Sequence, residues 1–281
     1  MPKISVLIPA YKRPDDLRNT LRNTLEQDYS DYEIVVVDDG TPDDTIEVAV
    51  REFPQVRYER TPENLGLIGA RNYGARQCRG ELILNLDDDS WLTDKDGLAR
   101  IAEAMDANPQ IGIAGLNIGL ERRGYLWPVD APSQALRGYI GCGNVYRRSV
   151  IDAVGEYVAE FRRQGEELDR TIRAIDAGFD VRSLPHIRVW HAESPINRKP
   201  RDHMAFEAAN YLRRELIRAP FVLLPLGIGR ALRFVVINHK AINMPLYREE
   251  VLGKRVPLRA FVCKYRKPVG IKAYFNWLSR P

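Results

Sequence analysis

Residues Leu82–Ser90 read Leu-Ile-Leu-Asn-Leu-Asp-Asp-Asp-Ser, a mostly apolar run that ends directly in three adjacent carboxylates. An apolar run of this length suits a strand buried on both faces. The carboxylates then stand at the strand's carboxyl end, where open α/β sheets place their ligands. Three neighbouring negative charges hold together readily when a cation or a ring of donors sits among them. By itself the stretch also reads as a polar loop after a strand, so the rest of the chain decides its meaning.

The surrounding pattern is strand–helix alternation. Ile4–Pro9 reads as a buried strand, and Leu17, Leu21 and Leu25 mark one face of a helix after it. Glu33–Val37 is a second strand running into Asp38-Asp39-Gly40. Thr41 and Pro42 suit the N-cap and first residue of a helix over 42–52. Val56–Glu59 is a short third strand. Asn64-Leu-Gly opens a helix running to about Cys78, and Leu82–Leu86 is the fourth strand. Asp94 can cap a helix with the stripe Leu98, Ile101, Ala102 and Met105, and Ile111–Leu116 is a strand. Such alternation predicts an α/β fold, a mostly parallel sheet flanked by helices. In a parallel sheet Asp38-Asp39 and Asp87–Asp89 share one edge. Two acidic strand ends on one edge point to a site.

Beyond this, 117–135 reads as a loop, and 139–146 as a glycine-interrupted strand of the kind that brings backbone close to a ligand. Gly165-Glu166-Glu167-Leu168-Asp169 begins a helix that Gly178 ends. Asp180–Leu184 and Ile187–His191 are expected to form a hairpin with His191 at its end. From about Arg201 the character changes. His203–Arg218 looks helical, and Ala219–Gly229 carries no charge before Arg230 and Arg233. That stretch reads as too short and too charged to span a bilayer. It fits either an amphipathic segment on a lipid surface or a buried core helix.

Charge is divided unevenly. Residues 198–281 hold 18 Lys/Arg against 5 Asp/Glu, a net +13, whereas 1–197 hold 24 against 33, a net −9. A basic region of this kind meets something anionic, a membrane surface or the acidic body of the protein itself. No nucleic-acid recognition motif accompanies the charge, so nucleic acid is not expected as a partner. Three scattered cysteines give neither a disulfide framework nor a zinc spacing. With a strand starting at Ile4 and no visible signal peptide, the expectation is a cytoplasmic protein, peripheral on the inner face of the membrane.

No GxGxxG follows the first strand and no Walker-type loop appears, which removes the dinucleotide and P-loop readings. Instead, Ile4-Ser-Val-Leu-Ile-Pro-Ala-Tyr, Val35-Val-Val-Asp-Asp-Gly, Asn64-Leu-Gly with Ala70-Arg-Asn, Leu86-Asp-Asp-Asp, Gly165-Glu-Glu-Leu-Asp and a later His191 resemble the family 2 glycosyltransferases, in that family's order and spacing. The resemblance covers about residues 3–195. It implies a GT-A (Rossmann-like) fold over 1–200, a basic, mainly helical extension over 201–281, a nucleotide-diphosphate-sugar donor, Mn2+ or Mg2+, and inversion at the anomeric carbon. The acceptor would be a hydroxyl of a glycolipid or growing glycan.

It also implies roles. Pro9, Ala10, Tyr11 and Arg13 would line the donor base, with Asp39 accepting from it. Asn64, Gly66 and Arg71 would complete the donor site. Asp87 would touch the ribose and Asp89 the metal, with His191 as its partner ligand. Asp88 is counted with the donor-binding residues in a supporting place, its side chain expected to point elsewhere because alternate residues of an extended segment face opposite ways. An inverting transfer needs one base. Glu167 stands where the family usually has aspartate, with Glu166 beside it, which leaves open which carboxylate, Asp169 included, takes the proton. A helix N-terminus lowers basicity, so an apolar wall or second carboxylate must offset it. Gly143, Asn144, Asp169 and Trp190 are the acceptor-binding candidates. A nucleotidyltransferase would need a glycine-rich loop where Pro9-Ala10-Tyr11 stands, and a non-catalytic module would have lost these carboxylates.

Overall fold

In the computed structural model, residues 1–194, 200–253 and 256–281 are described. The chain runs β1 (Ile4–Ala10), α1 (Pro14–Leu25), β2 (Tyr32–Asp38), α2 (Thr45–Arg51), β3 (Val56–Arg60), α3 (Gly66–Gln77), β4 (Leu82–Asn85), β5 (Ser90–Leu92), α4 (Gly97–Ala107), β6 (Ile111–Leu120) and β7 (Gly124–Tyr125). It continues with β8 (Asn144–Arg147), α5 (Arg148–Val154), α6 (Glu166–Asp176), β9 (Asp180–His191), α7 (Pro200–Arg218), α8 (Leu224–Asn238), α9 (Met244–Val251), α10 (Leu258–Tyr265) and α11 (Ile271–Ser279).

The strands form one sheet in the order β3-β2-β1-β4-β8-β6-β9-β5, with β7 folded back on β6. Its first four strands are parallel. β8 then lies antiparallel to both neighbours, β9 runs parallel to β6, and β5 runs antiparallel at the edge. Side chains alternate across β1: Val6 and Ile8 pack with Leu17, Leu21, Leu98 and Ile101 on one face, while Leu7 packs with Ala70, Ile172 and Trp277 on the other. The two faces are thus covered by α1 and α4 and by α3, α6 and α11.

Five local expectations change. The second helix starts at Thr45, not Pro42, because the Asp43 carboxylate accepts from the Thr45 amide and hydroxyl, while the Thr41 amide donates to Asp38 Oδ1 at 2.9 Å. Asp94 does not cap α4; its carboxylate pairs with Arg188. Residues 117–120 extend β6, and 124–125 form β7. Asp180–His191 is one strand and not a hairpin; its pairing with β6 jumps from Leu184 to Arg188, and Asn117 Nδ2 donates to Pro185 O at 2.8 Å to hold the bulge. Finally, Phe221–Asn238 is an 18-residue helical segment with only two charged residues, long and apolar enough by length and composition to cross a bilayer. It is not a buried core helix, because its outer side is exposed.

Candidate functional site

The carboxyl ends of β1, β2 and β4 meet on one edge. The Asp39 amide donates to Ala10 O at 2.9 Å and the Leu86 amide to Leu7 O at 3.0 Å, which carries the sheet's ladder one step past the strand ends. From the other side, the antiparallel β8 places Asn144 opposite Asn85, with Asn85 Nδ2 donating to Asn144 Oδ1 at 3.1 Å. That pairing delivers the 140–142 loop beside Asp87. β9 pairs His191 with Ser90, and the Ala192 amide donates to Asp89 O at 2.9 Å, which sets the imidazole beside the acidic triplet.

A cavity of about 520 Å³ opens along this edge. Pro9, Ala10, Tyr11, Arg13, Asp39, Asn64, Gly66, Arg71 and all three of Asp87–Asp89 line it, together with Glu166, Glu167 and His191. A second cavity, near 570 Å³, lies against Arg100, Glu103 and His186 and contains none of these groups.

The triplet divides by partner. Asp88 does not point away from its neighbours: it is buried in the cavity wall, gripped by the Arg13 guanidinium that also reaches Asp89, and its carbonyl accepts from Thr20 Oγ1 at 2.9 Å. Burial pushes its carboxyl well above the usual range, against the pull of Arg13. Asp89 takes Arg13 Nη1 at 3.0 Å and the Ser194 amide at 2.8 Å on Oδ2, and its Oδ1 lies 3.2 Å from His191 Nε2. Burial acts to raise Asp89, but His191 and Arg13 outweigh it and hold the carboxyl below its ordinary value. Asp87 faces the cavity and accepts from Arg71 Nη2 at 2.7 Å.

Arg71 is not an exposed helix arginine. It is only 1% exposed and bridges Asp87 to Glu166, whose Oε1 is 3.4 Å from Nη1. Glu166 and Glu167 sit at the start of α6, ahead of which Gly165 takes φ +86°, a conformation costly to other residues. Burial raises both carboxyls; Glu167 goes well above the usual range, helped by the charge of Glu166. This supplies the offset to the helix dipole that a base at this position requires. Gly141 packs against the same group: a Cβ there would lie 2.5 Å from Arg71 Nη1 and 2.9 Å from Glu167 Oε1.

Asp39 has two functions. Its Oδ1 accepts from the Leu65 amide at 2.8 Å and its Oδ2 from Asn64 Nδ2 at 3.1 Å, tying β2 to the start of α3 while it lines the cavity. Burial raises its carboxyl.

None of the four acceptor candidates lines the cavity. Asp169 is buried between Arg173 and Arg218, at 2.9 and 2.6 Å, and ties α6 to α7. Asn144 supports the loop from below, donating to Gly141 O at 2.8 Å. Gly143 is packed against Ile118 and Val189. Trp190 lies on the opposite side of β9 from His191 and meets Tyr125 edge-on, 6.3 Å between ring centres. Residues that sequence reasoning missed take their place: Ile140, Gly141 and Cys142 from the loop, Arg162–Gln164 ahead of α6, and Asp202, His203 and Phe206 from α7. Their only sequence signal was the Gly141-Cys142-Gly143 interruption.

The donor set suits a divalent ion. Ligand atoms of Asp87, Cys142 and His191 lie within 4.8 Å of one another. The 3.2 Å between Asp89 Oδ1 and His191 Nε2 approximates the ~3 Å separating adjacent ligands on an ion that binds each at ~2.1 Å. Carboxylates with one imidazole favour a hard or borderline ion. Cys142 Sγ lies 3.2 Å from His191 Nδ1, and burial raises its thiol far above the thiolate range.

The sequence model of Glycosyl transferase family 2 matches residues 5–155. The chain belongs to this family. Among curated relatives, an N-acetylglucosaminyltransferase of Rhizobium meliloti is 26% identical over 290 residues, covering 90% of this chain and 65% of that protein. A GalNAc(5)-diNAcBac-PP-undecaprenol β-1,3-glucosyltransferase of Campylobacter jejuni is 34% identical over 101 residues, 33% of this chain and 31% of that one. A mannosyltransferase of Pyrobaculum calidifontis, solved with GDP-Man and Mn2+, superposes with a TM-score of 0.59 at 18% identity, covering 99% of this chain and 87% of that one. The chain spans between 38 and 65% of the length of the first curated relatives it matches. This family 2 glycosyltransferase has the GT-A architecture, with its sheet curled between helices.

Proposed function

We propose that the protein is an inverting glycosyltransferase that moves a hexosyl unit from a nucleotide-diphosphate sugar to a hydroxyl of a lipid-linked or growing glycan. The observation that carries this reading is the single cavity in which a raised carboxyl, Glu167, shares an arginine neighbour, Arg71, with the acidic strand end that includes Asp87. Pro9, Ala10, Tyr11 and Arg13 bound the cavity at the end of β1, where the base is assigned, with Asp39 accepting from it. Asn64 and Gly66, at the start of α3, complete the donor's walls. Asp87 takes the ribose. Asp89 and His191 would hold Mn2+ or Mg2+, which when bound supplies positive charge to the departing diphosphate.

Glu167 removes the acceptor proton. Glu166 is paired with Arg71, and its charge adds to burial in raising Glu167. The high proton affinity lets Glu167 hold the proton as the acceptor oxygen attacks. The proposed donor, metal and base groups all fall within residues 1–200. The basic helices of 201–281 begin at the cavity rim with Asp202, His203 and Phe206 and place the enzyme at the cytoplasmic face of a membrane. The C. jejuni relative, named for a lipid-linked acceptor, supports that choice.

A screen of common nucleotide sugars with Mn2+, reading nucleoside diphosphate release against added glycolipid acceptors, tests the proposal. Release with one donor that depends on both metal and Glu167 is expected. Binding without release across all donors and acceptors would contradict it.

A further inference from the structure

Helix α8 is apolar on two opposite faces. The inner face packs on the body: Gly227 and Ala231 are buried, and Phe234 meets Tyr211 with 5.6 Å between ring centres. The outer face and the turn before it present Phe221, Val222, Leu226, Leu232, Val236 and Ile237, all between 51 and 73% exposed. At about 100° per residue, Leu226, Leu232, Val236 and Ile237 fall within one arc of about 140°, in which the exposed Arg233 is the one charged residue. A helix in contact with water alone carries polar side chains on such an arc. On α11, which meets α8 where Tyr274 approaches Gly227, Ile271 and Phe275 are also half exposed.

We propose that this face lies in the interfacial layer of an anionic lipid bilayer. Charge selects the occupant. Between Ala219 and Arg248 there are Arg230, Arg233, Lys240 and Arg248 and no Asp or Glu, in a third of the chain with a net +13. Anionic headgroups complement that charge. A second copy docked through the same face would set these cations against one another, because a two-fold interface repeats each patch on itself. The helix lies on the bilayer and does not cross it. Arg230 donates to Tyr211 Oη at 3.1 Å and to Tyr274 Oη at 3.4 Å, and Gly227 sits against Glu215, ties that crossing would break.

The same face sets the orientation of the cavity. α8 returns antiparallel along α7, so its carboxyl end reaches the amino end of α7: the Asn243 amide donates to Arg201 O at 3.0 Å, and Asn243 Nδ2 to Asp202 Oδ1 at 2.6 Å. Asp202, His203 and Phe206 line the cavity. The apolar face thus runs to the cavity rim and brings the rim to the membrane surface, where a lipid-linked acceptor presents its hydroxyl. The orientation rests on the acceptor reading above; the lipid contact stands on α8 alone.

The test is sedimentation with vesicles of phosphatidylcholine alone and of phosphatidylcholine with phosphatidylglycerol, at low and high salt. Wild type partitions onto the anionic vesicles, less so at high salt. The pair Leu226→Gln/Val236→Gln and the pair Arg233→Glu/Lys240→Glu each lose about tenfold or more of that partition, with unchanged Mn2+-dependent affinity for a nucleoside diphosphate. Equal partition by all three proteins, or none by wild type, overturns the proposal. So does a concentration-dependent dimer that the Leu226→Gln/Val236→Gln pair abolishes. Wild type that sediments with anionic vesicles but binds no nucleotide leaves this proposal standing and rejects the donor reading.

Discussion

The two walls of the cavity are built on different principles. One is the edge of the parallel half of the sheet, with Ala10, Asp39 and Asp87–Asp89 at successive strand ends, joined by backbone hydrogen bonds and the Asp39–Leu65 tie. The other gathers the 140–142 loop, Arg162–Gln164, the start of α6 and the start of α7. It is held by buried charge, through Arg71 with Glu166 and Asp169 with Arg173 and Arg218, and by glycines without room for a side chain. A wall made by a sheet edge depends on local pattern. A wall made by tertiary packing depends on residues far apart in sequence, and in the proposed division it supplies the base and the acceptor contacts.

If that division is right, the largest effect belongs to Glu167→Gln. Loss of a general base costs about 10²–10⁴-fold, so turnover should fall by that factor while nucleoside diphosphate affinity holds, as rate and calorimetry measured together would show. Wild-type turnover would move the role to Glu166. The same variant has a stability signature. Burial and Glu166 raise Glu167, so above the unfolded glutamate value of about 4.3 the folded state keeps a proton that the unfolded chain has released. Stability therefore declines as pH rises through that window, and Glu167→Gln should flatten the decline in urea midpoints measured against pH.

Next comes Asp169→Ala, which leaves Arg173 and Arg218 buried without their shared carboxylate. Removing one partner of a buried ion pair costs about 3–5 kcal/mol, read in urea unfolding. Nucleotide affinity of the folded fraction should not change, and a specific loss of acceptor turnover at unchanged stability would restore Asp169 to the acceptor site. Gly141→Ala should be smaller. A new methyl 2.5 Å from Arg71 Nη1 displaces flexible side-chain ends, and a shift near 1 Å at reacting groups costs about 10²-fold in rate with little loss of stability. Trp190→Ala should do least: donor affinity and turnover unchanged, because the ring lies off the cavity beside Tyr125.

How much of this was legible follows the same division. The strands ending in Ala10, Asp38 and Asn85 announce themselves as apolar runs, and the carboxyl-edge rule then collects Asp39, Asp87 and Asp89 without any knowledge of tertiary contacts. Alternation failed for Asp88: Asp87–Ser90 is a turn closed by the Ser90 amide on Asp87 O at 3.1 Å, so Asp88 lines the cavity beside its neighbours and shares Arg13 with Asp89. Asp169 misled because an acid two residues after Glu167 lies on another side of α6, toward Arg218 on α7. Trp190 misled because adjacency to His191 on a strand means the opposite face. Pro185-His186 read as a turn but is a bulge, held by an asparagine 68 residues away. Phe206 and Gln164 carried no local signal; only the fold of α7 against the start of α6 brings them to the rim.

In the proposed division, one wall binds donor and metal while the other supplies the base. Calorimetric titration of a nucleoside diphosphate with Mn2+ into Asp89→Ala and Glu167→Gln, side by side with wild type, tests it most directly. Asp89→Ala should stay folded and lose the metal-dependent affinity, whereas Glu167→Gln should bind like wild type. Undiminished binding by Asp89→Ala, or equal loss in both variants, would contradict it.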